Sequence, residues 1–258
     1  MGKLDLKASS AQDLGRILYH HDPSQLLFQL GEIVGERTYL RHGVDVRAGD
    51  VVLDVGANVG VAAAFFAAEC SAGLVHCFEP VTPIYSLLRQ NLRSFPACVA
   101  HNYGLGSAAG RMPITYYPHA DAMSSLYADP NEDRARVRTY LINSGRSPDE
   151  VDRQLDGRYD TITLSCELRV LSSVLREESL ERVDLLKIDV EKAELDVLGG
   201  IRGDDWSRIK QVVAEVHDEH GRSTTIARML SNHGFSVTTE QDPLWRGTAM
   251  RMLYATRQ

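Results

Sequence analysis

Residues 51–60 read Val-Val-Leu-Asp-Val-Gly-Ala-Asn-Val-Gly. Five residues rich in β-branched side chains, with a carboxylate in fourth place, predict a buried strand. Gly56 and Gly60 then turn the chain tightly into the apolar run that ends at Ala68, which predicts a helix. A strand, a glycine turn and a helix form the first unit of an open α/β sheet, and ligands of such sheets lie over the carboxyl ends of the strands. Outward from this stretch the alternation recurs. Short apolar runs at 51–55, 74–78, 98–103, 185–189 and 212–216 are separated by helical stretches at 59–69, 81–94, 193–202 and 223–233, and two further strands near 235–239 and 250–255 finish the chain. The pattern predicts an α/β fold with a mostly parallel seven-stranded sheet covered by helices on both faces.

Two segments depart from the alternation. Residues 1–50 carry Leu14, Ile17 and Leu18 at helical spacing before a polar hinge at 47–50, and predict an N-terminal helical cap. The main sheet domain would then run over 51–258, with an insertion at about 105–183. That insertion holds strand-like runs at 113–117 and 161–166, a helix at 170–177, and a charged stretch at 129–160 whose Val137, Tyr140, Leu141, Val151 and Leu155 fit two amphipathic helices. An insertion beside a strand edge is suited to serve as a lid over a binding site.

Composition narrows the function classes. The chain has 258 residues, enough for one sizeable core, with 43% hydrophobic and 24% charged residues, which argues against wholesale disorder. A net charge of -7 disfavours a nucleic-acid partner, because phosphate contacts need a basic face. The longest apolar run, around 59–68, is shorter than the roughly 20 residues a membrane span needs, so no membrane partner is expected. Residues 1–10 alternate charges with isolated leucines and do not resemble a secretion signal, so a cytoplasmic protein is expected. Cys70, Cys77, Cys98 and Cys166 show no metal-ligand spacing and read as reduced, packed thiols.

The second strand ends in Cys77-Phe78-Glu79-Pro80. An acidic residue about 20 positions past the glycine turn is placed to accept both ribose hydroxyls of a nucleoside. A dinucleotide site would show G-x-G-x-x-G, whereas here Gly56 and Gly60 lie four apart around Asn58, with Asp54 just before them. A carboxylate there suits a cationic ligand better than a pyrophosphate. Asp54, Gly56, Asn58, Gly60, Glu79 and Pro80 therefore predict an S-adenosylmethionine pocket.

On these residues the chain resembles the FkbM-type methyltransferase family. The resemblance is carried by DVGANVG at 54–60, FEP at 78–80 with the helix that ends RQNL at 89–92, the SSL at 124–126, and LLKIDVEKAELDVLGGI at 185–201. It covers about 50–255 and implies a Rossmann-like fold and O-methylation of a small natural product such as a polyketide or sugar. Two positions depart from the family pattern: Lys192 stands where Gly is usual, and Ser165-Cys166 replaces Leu-Asp.

The later strands bring the remaining candidates. Lys187, Asp189 and Glu191 alternate at a strand's carboxyl end, with Asp189 expected near the reacting methyl, and Glu194 is suited to the first turn of the next helix. The following strand delivers Glu215, His217 and Asp218. His217 is expected to be the general base, oriented by Glu215 or Glu191. A divalent metal on Asp189, Glu215 and Asp218 also fits oxygen ligation but nothing in the spacing forces it, so no metal is assigned. The expected partner is a small-molecule acceptor, free or bound to a carrier protein. N-methylation and a non-catalytic S-adenosylmethionine-binding module are the competing readings.

Overall fold

The computed structural model describes residues 11–257, so the charged start read over 1–10 lies outside the described residues. Two short helices, α1 (Ala11–Ile17) and α2 (Pro23–Gln29), come first, and the second continues into a π-helical stretch, Leu30–Gly35. Then β1 (Val51–Val55), α3 (Val61–Ala68), β2 (Leu74–Phe78), α4 (Thr82–Asn91) and β3 (Cys98–His101) alternate. The insertion supplies β4 (Gly104–Leu105), β5 (Gly110–Tyr116), α5 (Pro130–Asn143), α6 (Pro148–Gln154), β6 (Ile162–Arg169) and α7 (Leu171–Glu177). The alternation resumes with β7 (Leu185–Ile188), α8 (Glu194–Gly199), β8 (Gln211–His217), α9 (Arg222–Asn232), β9 (Ser236–Glu240) and β10 (Met250–Thr256).

Seven strands form one sheet in the order β3-β2-β1-β7-β8-β10-β9, parallel except for β10, which runs against both neighbours. Alternating side chains split its core between two faces. Val52, Val75 and Cys77 pack with Phe65, Phe66 and Leu88, and the same cluster takes in Leu14, Leu26 and Leu30 from the first helices. Leu53, Leu186, Ile188 and Val212 face the other way, toward Leu171, Val197, Ile226 and Leu230. Each such side chain contributes about 1.5–3 kcal/mol by leaving water.

Element boundaries shift where the backbone has a local reason. Asn58 and Gly60 are left-handed (φ 48° and 94°), so α3 cannot begin at 59 and starts at Val61. The third strand ends at His101, short of 103, because the Asn102 amide turns back to donate to the carbonyls of Glu79 (3.0 Å) and Pro80 (3.4 Å). The chain then leaves the main sheet, and β4, β6 and β5 build a separate three-stranded sheet in that order. The two amphipathic helices form as α5 and α6, started by Asp129 and by a capping box between Ser147 and Glu150. They hold a small apolar cluster of their own around Leu141, Val151 and Leu155. All four cysteines are free. Among the described residues no helix is long and apolar enough to cross a membrane.

Candidate active site

The sheet's strand order reverses between β1 and β7, and the site lies over their carboxyl ends. Gly56 leaves β1 with φ 76°, and a Cβ there would stand 1.7 Å from the Asp189 carbonyl oxygen, so only glycine lets the two strand exits approach this closely. The Gly56 and Ala57 N–H groups donate to the Phe78 carbonyl (3.1 and 3.0 Å), tying the turn to the end of β2. Beside it, Glu79 accepts from the backbone N–H groups of Asn58 (3.1 Å) and Val81 (2.8 Å). Burial pushes the Glu79 carboxyl up to about 8 in spite of these donors.

Gly56, Asn58, Glu79 and Pro80 line a cleft closed by apolar side chains such as Ile114, Leu126 and Leu168. Its charged side chains are acids, Glu79, Asp121, Asp189 and Glu191, and among the described residues no Lys or Arg lines it. That donor set repels a pyrophosphate and fits the hydroxyls of a nucleoside and a positive sulfonium, so the residues present fit S-adenosylmethionine. Ser124, Ser125 and Leu126 also line it, and the Ser125 hydroxyl donates to the Glu191 carbonyl. Gly60 does not line the cleft. It sits at the start of α3, where a Cβ would press on Leu88 at 2.8 Å, so its role is the turn and the packing.

Asp54 is a second correction. Its carboxylate is fully buried beneath the cleft and faces Lys187, the Nζ of which lies 2.9 Å from Asp54 Oδ1 and also donates to the Gly56 carbonyl (2.8 Å). Burial alone would strip the Lys187 proton, but Asp54 and Asp189 hold it and raise the group's pKa. Asp54 thus pairs with a lysine inside the sheet and its charge is spent before any ligand arrives.

A chamber of about 570 Å³ adjoins the cleft. Its walls are mostly apolar and aromatic, among them Phe28, Tyr140, Leu155 and Trp245, with Arg146 and Arg158 at their edge, and its floor carries Glu32, Asp189, Glu191 and Glu215. Gly56, Asn58, Ala122, Asp189 and Glu191 line both cavities and so mark their junction. Asp189 accepts from the Tyr39 hydroxyl (2.6 Å) and lies 3.8 Å from Lys187 Nζ. Glu32 enters the floor from the π-helical stretch; burial, then the charge of Asp189, push it up to about 8. Burial and the nearby Asp189 and Glu191 raise Glu215 well above the usual carboxylate range.

The expected base, His217, lines neither cavity. The ring is fully buried, with Nδ1 3.0 Å from Glu194 Oε1 and Nε2 3.0 Å from Glu191 Oε2. Burial pulls its pKa down, yet the charge of Glu191 and the close carboxylates of Glu191 and Glu194 outweigh this and raise it to about 10. An imidazole that is already protonated and closed off from the chamber cannot take a proton from an acceptor, so the base assignment moves off His217. Glu191 orients the ring as expected, and Glu194, read as a helix-start residue, is the second carboxylate. Asp218 does not join the group: its carboxylate accepts from Ser223 N (2.8 Å) at the start of α9, so the metal set of Asp189, Glu215 and Asp218 is not assembled. The structure instead gathers Glu191, Glu215 and His217, whose ligand atoms lie within 4.8 Å of one another.

Several site residues carry no sequence signal. Tyr39 reaches Asp189 across 150 positions of sequence, and Arg136 on α5 donates to Glu191 (2.9 Å) across 55. Glu191 and Lys192 both adopt left-handed backbone (φ 52° and 77°). That conformation is the physical reason glycine suits position 192. Here the Lys192 ammonium offsets the strain by pairing with Asp133 (3.1 Å) and Glu132 (3.2 Å), which fastens α5 to the end of β7.

Comparison with known proteins agrees with this geometry. Residues 54–237 match the methyltransferase FkbM domain. The chain is 39% identical over 245 residues to the 31-O-demethyl-FK506 methyltransferase FkbM of Streptomyces tacrolimicus, covering 94% of each chain. It is 38% identical to a segment of the AMB antimetabolite synthetase AmbE of Pseudomonas aeruginosa, spanning 88% of this chain and 11% of that one, and 31% identical to the methyltransferase sdnD of Sordaria araneosa over 80% and 81%. With a family match over most of its length, and a relative alike from end to end, the chain belongs to the FkbM methyltransferase family.

Proposed function

We propose that the protein transfers a methyl group from S-adenosylmethionine to a hydroxyl of a bulky, largely apolar natural product, such as a polyketide, a sugar-bearing compound or a carrier-bound intermediate. The observation that carries this reading is the chamber itself: apolar and aromatic walls over a carboxylate floor, opening into the acidic cleft through Gly56, Asn58, Ala122, Asp189 and Glu191. The name of the Streptomyces tacrolimicus relative, a 31-O-demethyl-FK506 methyltransferase, supports methyl transfer to oxygen.

When bound, S-adenosylmethionine supplies an electrophilic methyl on a sulfonium. Glu79 accepts from the ribose hydroxyls, and the acids of the cleft favour the positive charge. The walls exclude water and hold the acceptor, which converts a bimolecular encounter into an aligned one. Asp189, at the junction and held by Tyr39 and Lys187, takes the hydroxyl proton as the oxygen attacks, a contribution on the order of 10² to 10⁴ in rate.

Calorimetry and product analysis test the reading together. The protein should bind S-adenosylhomocysteine but not NAD, and should move a labelled methyl onto oxygen of a hydroxylated polyketide or glycoside. Label found only on nitrogen, or cofactor binding without transfer to any such acceptor, would overturn it.

A further inference from the structure

We infer that Glu191, Glu215 and His217 form a binding site for a single divalent cation in the floor of the acceptor chamber. One carboxylate oxygen from each acid and one ring nitrogen of His217 lie within 4.8 Å of one another. These are ligand types that Mn²⁺, Mg²⁺ and Zn²⁺ accept.

Three further observations point to a ligand. His217 is fully buried, and its Nε2 faces Glu191 Oε2 at 3.0 Å without the alignment of a hydrogen bond, so this atom is left without a hydrogen-bond partner. Its Nδ1 is taken up by Glu194 Oε1 at 3.0 Å. A carboxylate on one ring nitrogen fixes the tautomer and presents the other nitrogen's lone pair, which is the outer-shell arrangement of metal-bound histidines. Glu215 lines the chamber and, among the described residues, makes no hydrogen bond or ion pair, although it lies deep beside other acids.

The surrounding charges agree. Lys187 is engaged by Asp54, Lys192 by Asp133 and Glu132, and Arg136 divides its guanidinium between Glu191 and Asp133. Asp189 shares Lys187 with Asp54, whereas Glu215 and Glu32 lie in the floor with no ion pair among the described residues, leaving their carboxyl oxygens to a bound ion. Arg136 opposes the ion most directly, because it limits the share of Glu191 left to it, and Lys187, Arg146 and Arg158 also line the chamber.

Three protein ligands leave open positions toward the chamber. Their use, to fix and acidify the acceptor hydroxyl before Asp189 removes its proton, rests on the methyl-transfer reading above; the site itself does not.

The test titrates the chelated full chain with MnCl₂ and follows heat and the electron paramagnetic resonance signal. One Mn²⁺ per chain should bind, and electron spin-echo modulation should report one directly bound imidazole nitrogen. Glu215→Gln should weaken binding by at least tenfold, while Asp218→Asn, a change at the start of α9, should leave it unaltered. No saturable site at millimolar Mn²⁺, no nitrogen modulation in the wild-type protein, or undiminished binding in Glu215→Gln would overturn the proposal. The modulation measurement needs no variant, so a misfolded substitution does not blur the answer. S-adenosylhomocysteine binding to the chelated protein is scored separately: if it persists while Mn²⁺ does not bind, the metal site falls and the methyltransferase reading stands.

Discussion

Asp54 on β1 and Lys187 on β7 are direct partners across the parallel ladder, their charged atoms 2.9 Å apart and both residues almost wholly buried. The pair replaces water's solvation of each charge with the other, so removing one member strands its partner in a low dielectric. Lys187→Met should cost about 3–5 kcal/mol of unfolding free energy in urea titrations. Asp54→Leu combined with Lys187→Met should recover most of that loss. A single variant within about 1 kcal/mol of wild type, well below the cost of a stranded buried charge, would show that the pair is not needed for folding.

Asp189→Asn keeps the shape of the junction and removes the proton acceptor. Turnover should fall by about 10² to 10⁴, while S-adenosylhomocysteine affinity stays within a few-fold because Glu79, the proposed ribose contact, is untouched. Tyr39→Phe, which removes only the donor to Asp189, should lose less. If Asp189→Asn retains a tenth or more of wild-type turnover, the proton leaves by another route.

Lys192 separates strain from charge. Lys192→Gly relieves the left-handed backbone while losing the ion pair, whereas Lys192→Ala loses the pair and keeps the strain. The alanine variant should be the less stable by about 1 kcal/mol, the usual gap between glycine and alanine at such a conformation. Equal stabilities would mean that the backbone at 192 relaxes in both.

Glu79 gives a pH signature. Its carboxyl is raised from 4.5 to about 8 in the folded protein, so between those values the folded state holds a proton that the unfolded state has released. Its contribution is full below about 4.5 and is lost as pH rises through about 8, with a limiting slope of about 1.4 kcal/mol per pH unit. Urea unfolding between pH 5 and pH 9, about the two ends of that window, should show wild type losing stability relative to Glu79→Gln. A flat difference would place the Glu79 pKa near its ordinary value.

Helices α5 and α6 share only a small cluster of their own, and several of their links are surface ion pairs such as Arg138 with Asp152. Regions with few buried contacts open locally. Amides in 130–154 should exchange faster than those of β1 in the free protein and slow when S-adenosylhomocysteine and acceptor are present. Exchange as slow as β1 without ligand would exclude a lid.

Much of the fold was legible because each strand announces itself by a local apolar run ended by a glycine or a carboxylate. Glu79 and Asp189 were legible for the same reason: their positions follow from where a strand stops. What failed were inferences about direction and pairing. Asp54 looked free to meet a cation because its partner, Lys187, lies 133 residues on and only the β1–β7 pairing joins them. His217 looked like a base because a sequence does not reveal that Glu191 and Glu194 close on both ring nitrogens. Glu32, in the π-helical stretch, and Tyr39, in the turn after it, could not be found at all, since nothing local distinguishes them from surface residues.

Among the described residues the two cavities meet at only five, and that narrow window separates two sets of walls built from different parts of the chain. Past it, the donor side is built on the ends of β1 and β2, while most of the acceptor walls come from 24–39, 136–159 and 245–250. Changes in those wall segments can reshape what is methylated without touching the residues that grip the donor. One sheet can therefore serve many acceptors, and exchanging the wall segments between relatives should transfer acceptor preference while donor affinity stays put.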